Sequence, residues 1–81
     1  VVELNRAVAV GRADGPRAAL GLLEPLAAQL SDYQPFYAAH AEYLARAGYR
    51  QRAISAYKRA MSLSNNQAES DYLKAQLDKL G

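Results

Sequence analysis

When the chain is slid against itself by 34 positions, it matches itself at packing positions. Ala7 falls on Ala41, Arg12 on Arg46, Ala13 on Ala47 and Ala19 on Ala53, while Val10 meets Leu44, Leu20 meets Ile54 and Leu23 meets Tyr57. A period of this length is that of a helix–turn–helix unit, which cannot bury its apolar side alone and stacks on its neighbours. Two units and a remainder fit in 81 residues, so the chain is expected to be one all-α domain of antiparallel helix pairs. Alanine, leucine and arginine dominate it, and these side chains lose little rotamer freedom in a helix. With 51% hydrophobic and 22% charged residues, it has enough apolar surface to form a core rather than stay disordered.

The second copy carries the stronger pattern. Tyr37, Ala41, Leu44 and Gly48 followed by Ala53-Ile54, Tyr57, Ala60 and Leu63 resemble a tetratricopeptide unit, with departures at His40 and Asn65. Small residues at Ala41, Ala53 and Ala60 allow two helix backbones to approach, Tyr57 fills the gap between them, and Gly48 can take the left-handed conformation that ends a helix. Punctuation predicts helices near 1–13, 16–30, 34–47, 50–64 and 67–80. Repeat one is placed at 1–33, repeat two at 34–66 and a capping helix at 67–81, with Tyr72, Leu73, Leu77 and Leu80 covering the end of the stack. Pro16 suits a first helical position, Ser31-Asp32 and Pro35 mark the third entry, and Asn66 with Glu69 suggests a capping box. Pro25 cannot donate to the Gly21 carbonyl and is expected to kink or split the second helix.

Convergent chemistry is sparse. His40 is the single histidine and there is no cysteine, so no metal set, thiolate or second imidazole is available. The glycines form no phosphate-binding loop, and Ser55, Ser62, Ser64 and Ser70 have no base partner in sequence. The expectation is no catalysis, no cofactor, no metal and no small-molecule substrate, with His40 packed between helices on one hydrogen bond. Arg46, Arg50, Arg52, Lys58 and Arg59 read as a solvated face with stems over apolar surface, contact with phosphate or an acidic partner surface being the alternative. The tyrosines are expected to be core or partly buried rather than base-stacking. Net charge is only +2, too little to imply nucleic acid, and no apolar run approaches the roughly 20 residues that span a bilayer. First helices usually line the concave groove of such stacks. The candidate partner-binding residues there are Asn5, Arg12, Glu42, Arg46, Tyr72 and Gln76, beside Val8 and Ala39. Arg12 and Arg46 are either a basic strip for an acidic partner or two ordinary surface arginines.

Leu4-Asn5-Arg6-Ala7-Val8-Ala9-Val10, then Asp14-Gly15-Pro16 and Ala19-Leu20, resemble more than the general repeat. Together with Ala38-Ala39-His40-Ala41-Glu42-Tyr43-Leu44, Arg46, Gly48, Ala53, Tyr57, Ala60, Glu69 and Leu73, they resemble the C-terminal extension of one group of bacterial extracytoplasmic-function RNA polymerase sigma factors. His40, Ala47 and Tyr49 depart from that group. The resemblance implies a cytoplasmic regulatory module that contacts upstream sigma domains or polymerase rather than DNA or membrane. A tetratricopeptide scaffold with no role in transcription remains the alternative. The chain opens on Val1-Val2-Glu3-Leu4 without methionine and reads as a piece of a longer protein.

Overall fold

The computed structural model describes residues 2–80, so Val1 and Gly81, at the two ends of the expected domain, lie outside the described residues. Five α-helices follow one another: α1 (Val2–Asp14), α2 (Pro16–Leu23), α3 (Gln34–Ala47), α4 (Arg50–Leu63) and α5 (Gln67–Leu80). The protein is all-α. Helices α1 and α2 pack as one pair and α3 and α4 as a second; α2 also lies on α3, and α5 closes on α4. The body measures 29 × 24 × 19 Å.

Each boundary has a local cause. The first turn needs a glycine, because Gly15 sits at φ +99° and its N–H donates to the Gly11 carbonyl at 3.1 Å. Pro16 then opens α2 where a missing N–H costs nothing. Gly48, at φ +92°, ends α3 in a Schellman motif: its N–H donates to the Ala45 carbonyl and the Tyr49 N–H to the Leu44 carbonyl. At the head of α5, Asn66 Oδ1 accepts from the Glu69 N–H as a capping box requires. The reciprocal arm differs from that motif. Glu69 accepts from the Ser64 hydroxyl at 2.9 Å, and Ser64 Oγ in turn receives the Asn66 N–H.

The expected helix over 16–30 is wrong in its second half. The α-helix stops at Leu23, a 3₁₀ turn occupies Glu24–Leu26, and hydrogen-bonded turns carry the chain to Asp32. Pro25 has no N–H for the Gly21 carbonyl and its ring crowds the preceding turn, so it ends the helix rather than bending it. Leu26 is still buried and Leu30 packs at the core edge, which keeps this irregular stretch against the second pair.

The core is small-residue packing filled by a few large side chains. Ala7, Ala19, Ala41, Ala53 and Ala60 are fully buried, and close helix approach was expected at the last three. Leu23, Phe36, Leu44 and Leu73 are the largest fully buried side chains, each worth about 1.5–3 kcal/mol on leaving water. Leu73 anchors α5, with Leu77 and Leu80 packed at the core edge. Tyr72 of the same helix does not cover the stack: it is 57% exposed.

Candidate functional site

The face built by the first helices is assembled around Tyr43. Its ring rests where α1 has no side chain: a Cβ on Gly11 would lie 2.6 Å from Tyr43 Cε1 and Cζ. Its hydroxyl donates to the Val8 carbonyl at 3.2 Å, tying α3 to α1. The Arg46 guanidinium lies 5.5 Å from the same ring's centroid and forms an i,i+4 ion pair with Glu42 at 2.6 Å. Glu42, Arg46 and Tyr72 all act on the ionisation of the buried Tyr57 hydroxyl. Burial is the main cause of its raised pKa, Glu42 and Tyr72 add to the rise, and Arg46 opposes it. The structure therefore pairs Glu42 with Arg46 on α3, while Tyr72 stands exposed on α5. Gln76 is half-buried on α5, Val8 and Ala39 are half-buried on α1 and α3, and Asn5 and Arg12 are exposed on α1. Arg12 has no ion-pair partner among the described residues, whereas Arg46 has one.

The other flank holds a second arrangement, not foreseen in this form. Glu24 opens the 3₁₀ turn and sits between α3 and α4. Arg52 Nη2 donates to both its oxygens at 2.8 Å, and His40 Nε2 lies 2.6 Å from Oε2. These partners hold the Glu24 carboxyl below its ordinary 4.5, Arg52 acting most and His40 less, with burial working against them. Two turns further along α4, Arg59 donates to Asp32 Oδ1 at 3.1 Å and to the Ser31 carbonyl at 3.2 Å. Asp32 thus straps the loop down instead of capping α3. Arg52 also lies over Tyr49 and Arg59 over Tyr37, each about 5.5 Å from the ring centroid.

The basic stretch is exposed, as a solvated face requires, but part of its charge is also paired. Arg50, Arg52 and Arg59 are used internally, since Arg50 Nε donates to the Leu80 carbonyl at the end of α5. His40 is packed on one hydrogen bond as expected, its side chain 13% exposed. The tyrosines divide: Tyr43 and Tyr57 are buried and Tyr33 and Tyr37 partly so, but Tyr49 and Tyr72 are exposed, against expectation. The sequence signal for the strap was the spacing of Arg52 and Arg59, two turns apart on one helix face; of their acidic partners Glu24 lay in a segment assigned to helix and Asp32 in the punctuation before α3.

Two shallow clefts flank Glu24. One of about 290 Å³ has an apolar floor at Leu44 and Ala56 below His40, Arg52 and Arg59, and one of about 310 Å³ lies between Arg17, Gly21 and Tyr49. No group of histidine, cysteine and carboxylate side chains that could hold a metal occurs among the described residues, and no described helix is long and apolar enough to cross a membrane.

No known protein-family profile matches the sequence, and no solved structure matches it. Over 80 residues, 99% of the chain, it is 42% identical to an uncharacterized protein of Rhizobium meliloti (strain 1021). The chain spans 19% of the length of that relative, so what it is similar to is one part of a longer polypeptide.

Proposed function

We propose that this chain is a non-catalytic protein-interaction module that acts as the C-terminal regulatory domain of an extracytoplasmic-function sigma factor in the bacterial cytoplasm. The observation that carries the interaction reading is the unequal use of charge on the two flanks. Arg52 and Arg59 are consumed by Glu24 and Asp32, whereas the first-helix face leaves Arg12 without a counter-ion among the described residues and Tyr72 57% exposed. An uncommitted arginine and an exposed tyrosine are residue types that protein interfaces favour. The link to transcription rests on the sequence resemblance. The partner is then a protein, either the upstream sigma domains or polymerase, and no cofactor or nucleic acid is bound by this segment. A scaffold of an unrelated multidomain protein would use the same groove.

Transcription from the factor's own promoter tests this, comparing the whole protein, its Arg12→Glu/Arg46→Glu variant and a version lacking residues 1–81. The double variant should transcribe less, with unchanged promoter preference, because interface charges act on association with the partner. Glutamate at position 46 would face Glu42, a like-charge i,i+4 pair costing about 0.2–0.5 kcal/mol, so the variant should still fold. Full activity of the truncated protein under every condition would sink the regulatory reading. A helix-turn-helix with a basic recognition helix upstream supports the sigma-factor assignment over the scaffold.

A further inference from the structure

On α3, Phe36, His40, Tyr43 and Ala47 recur at i, i+4, i+7 and i+11 and share one face. Phe36 is fully buried, and Tyr43 rests on Gly11 and bonds the Val8 carbonyl. His40 meets Glu24, and Ala47 is half-buried. This is the face by which α3 docks on the helix pair before it. Moved back by the 34-residue period, the four positions become Val2, Arg6, Ala9 and Ala13 on α1. All four are exposed, Val2 by 70%, and Arg6 has no ion-pair partner among the described residues. The opposite end of the stack is finished differently. The outward i, i+4, i+7, i+11 stripe of α5 is Gln67, Asp71, Lys74 and Asp78, all exposed and polar, with Gln67 bonded to Asp71 at 2.8 Å. A terminal unit needs such a polar outer side, and the α1 face lacks it.

We propose that the outward face of α1 is a docking face for a further antiparallel helix pair of the same kind, belonging to the preceding part of the longer polypeptide. That pair carries an acidic side chain that meets Arg6 as Glu24 meets His40, sixteen residues apart in sequence. Val2, Ala9 and Ala13 replace Phe36, Tyr43 and Ala47, so the seam is shallower and its helices lie closer than at α3. Four-fifths of the Rhizobium relative lies outside the matched segment, so that polypeptide has chain to build further helix pairs. A second copy of this chain fits worse: a two-fold contact through the same stripe brings two Arg6 cations into one seam and no acidic side chain to meet them. The proposal concerns the side of α1 away from the groove and stands whatever the groove binds.

The absence of cysteine allows a direct test. Ala9→Cys and Ala13→Cys are made singly in the 81-residue chain and in the longer natural polypeptide, with Asp78→Cys as the exposed control. N-ethylmaleimide labelling of the peptide containing each site is followed by mass spectrometry, and circular dichroism confirms folding. Labelling at positions 9 and 13 should be about tenfold or more slower in the longer polypeptide, with position 78 unchanged. Equal rates in both chains at positions 9 and 13 would overturn the proposal. So would slowing that arises in the 81-residue chain alone as its concentration is raised, which would assign the face to a second copy. In the longer polypeptide, Arg6→Glu should speed labelling at Ala9→Cys several-fold; an unchanged rate would remove the acidic partner.

Discussion

Gly11 and Gly21 are both helical glycines, yet their neighbours give them opposite worth. At Gly11 a Cβ would strike the Tyr43 ring at 2.6 Å and Ala19 Cβ at 2.8 Å, and Tyr43 is held by its bond to Val8. At Gly21 nothing lies within 4 Å of the same atom. Alanine gains about 1 kcal/mol over glycine in a helix interior, while overpacking costs about 1–3 kcal/mol. Gly21→Ala should therefore raise the melting temperature by about 4–8 °C per kcal/mol gained, and Gly11→Ala should lower it. Thermal denaturation of the two variants beside the wild type checks this, and equal shifts would remove Gly11 as the seat of Tyr43. The 34-residue offset pairs Gly11 with Ala45, so the repeat gives no hint of the role; only the packed Tyr43 shows it. By contrast Ala41, Ala53 and Ala60 were legible in sequence, because small residues at helical spacing point to one physical demand, close backbone approach.

Element by element, helices bounded by glycine or by a side-chain cap were readable to within a residue or so: Gly15, Gly48 and Asn66 each act within a few residues of their own boundary. The stretch from Glu24 to Asp32 was not. Its apolar residues keep a helical spacing, and what organises it comes from α3 and α4, through His40, Arg52 and Arg59. Glu24 offers a test of that account. A carboxyl whose folded pKa is depressed contributes stability that is complete above its unfolded value and disappears as pH falls through the folded one. For Glu24 the window lies below about 4.5. Glu24→Gln should cost no more than about 1 kcal/mol at neutral pH, because the side chain is 42% exposed and its pairs are screened. Below that window wild type and variant should converge, as followed by urea denaturation across the acid range; a difference that persisted there would mean that packing, not charge, holds the turn.

As a whole the molecule carries little excess positive charge and ties part of it down. Net charge is +2, and Arg50, Arg52 and Arg59 each reach a carbonyl or carboxylate on another segment. Duplex DNA binding needs several free cations to neutralise phosphates, so a fluorescence titration at physiological salt should show no appreciable binding. Micromolar affinity with a steep salt slope would overturn this and make the basic stretch around Arg50 a binding site. The period places the first-helix positions on one side but compares units only; the hold of Glu42 on Arg46 is carried instead by their i,i+4 spacing within α3. The two straps also give the molecule an uneven response to its solvent. Added electrolyte weakens exposed ion pairs within a Debye length of roughly 8–10 Å but leaves apolar burial intact. The connection between the two helix pairs is then the first part to loosen, while each pair stays folded. Limited proteolysis should cut between Glu24 and Asp32 faster in concentrated sodium chloride than in dilute buffer, with α3 and α4 recovered as one resistant piece. Ionic strength thus sets how firmly the stretch from Glu24 to Asp32 is held down, while the core shared by the two pairs keeps them together.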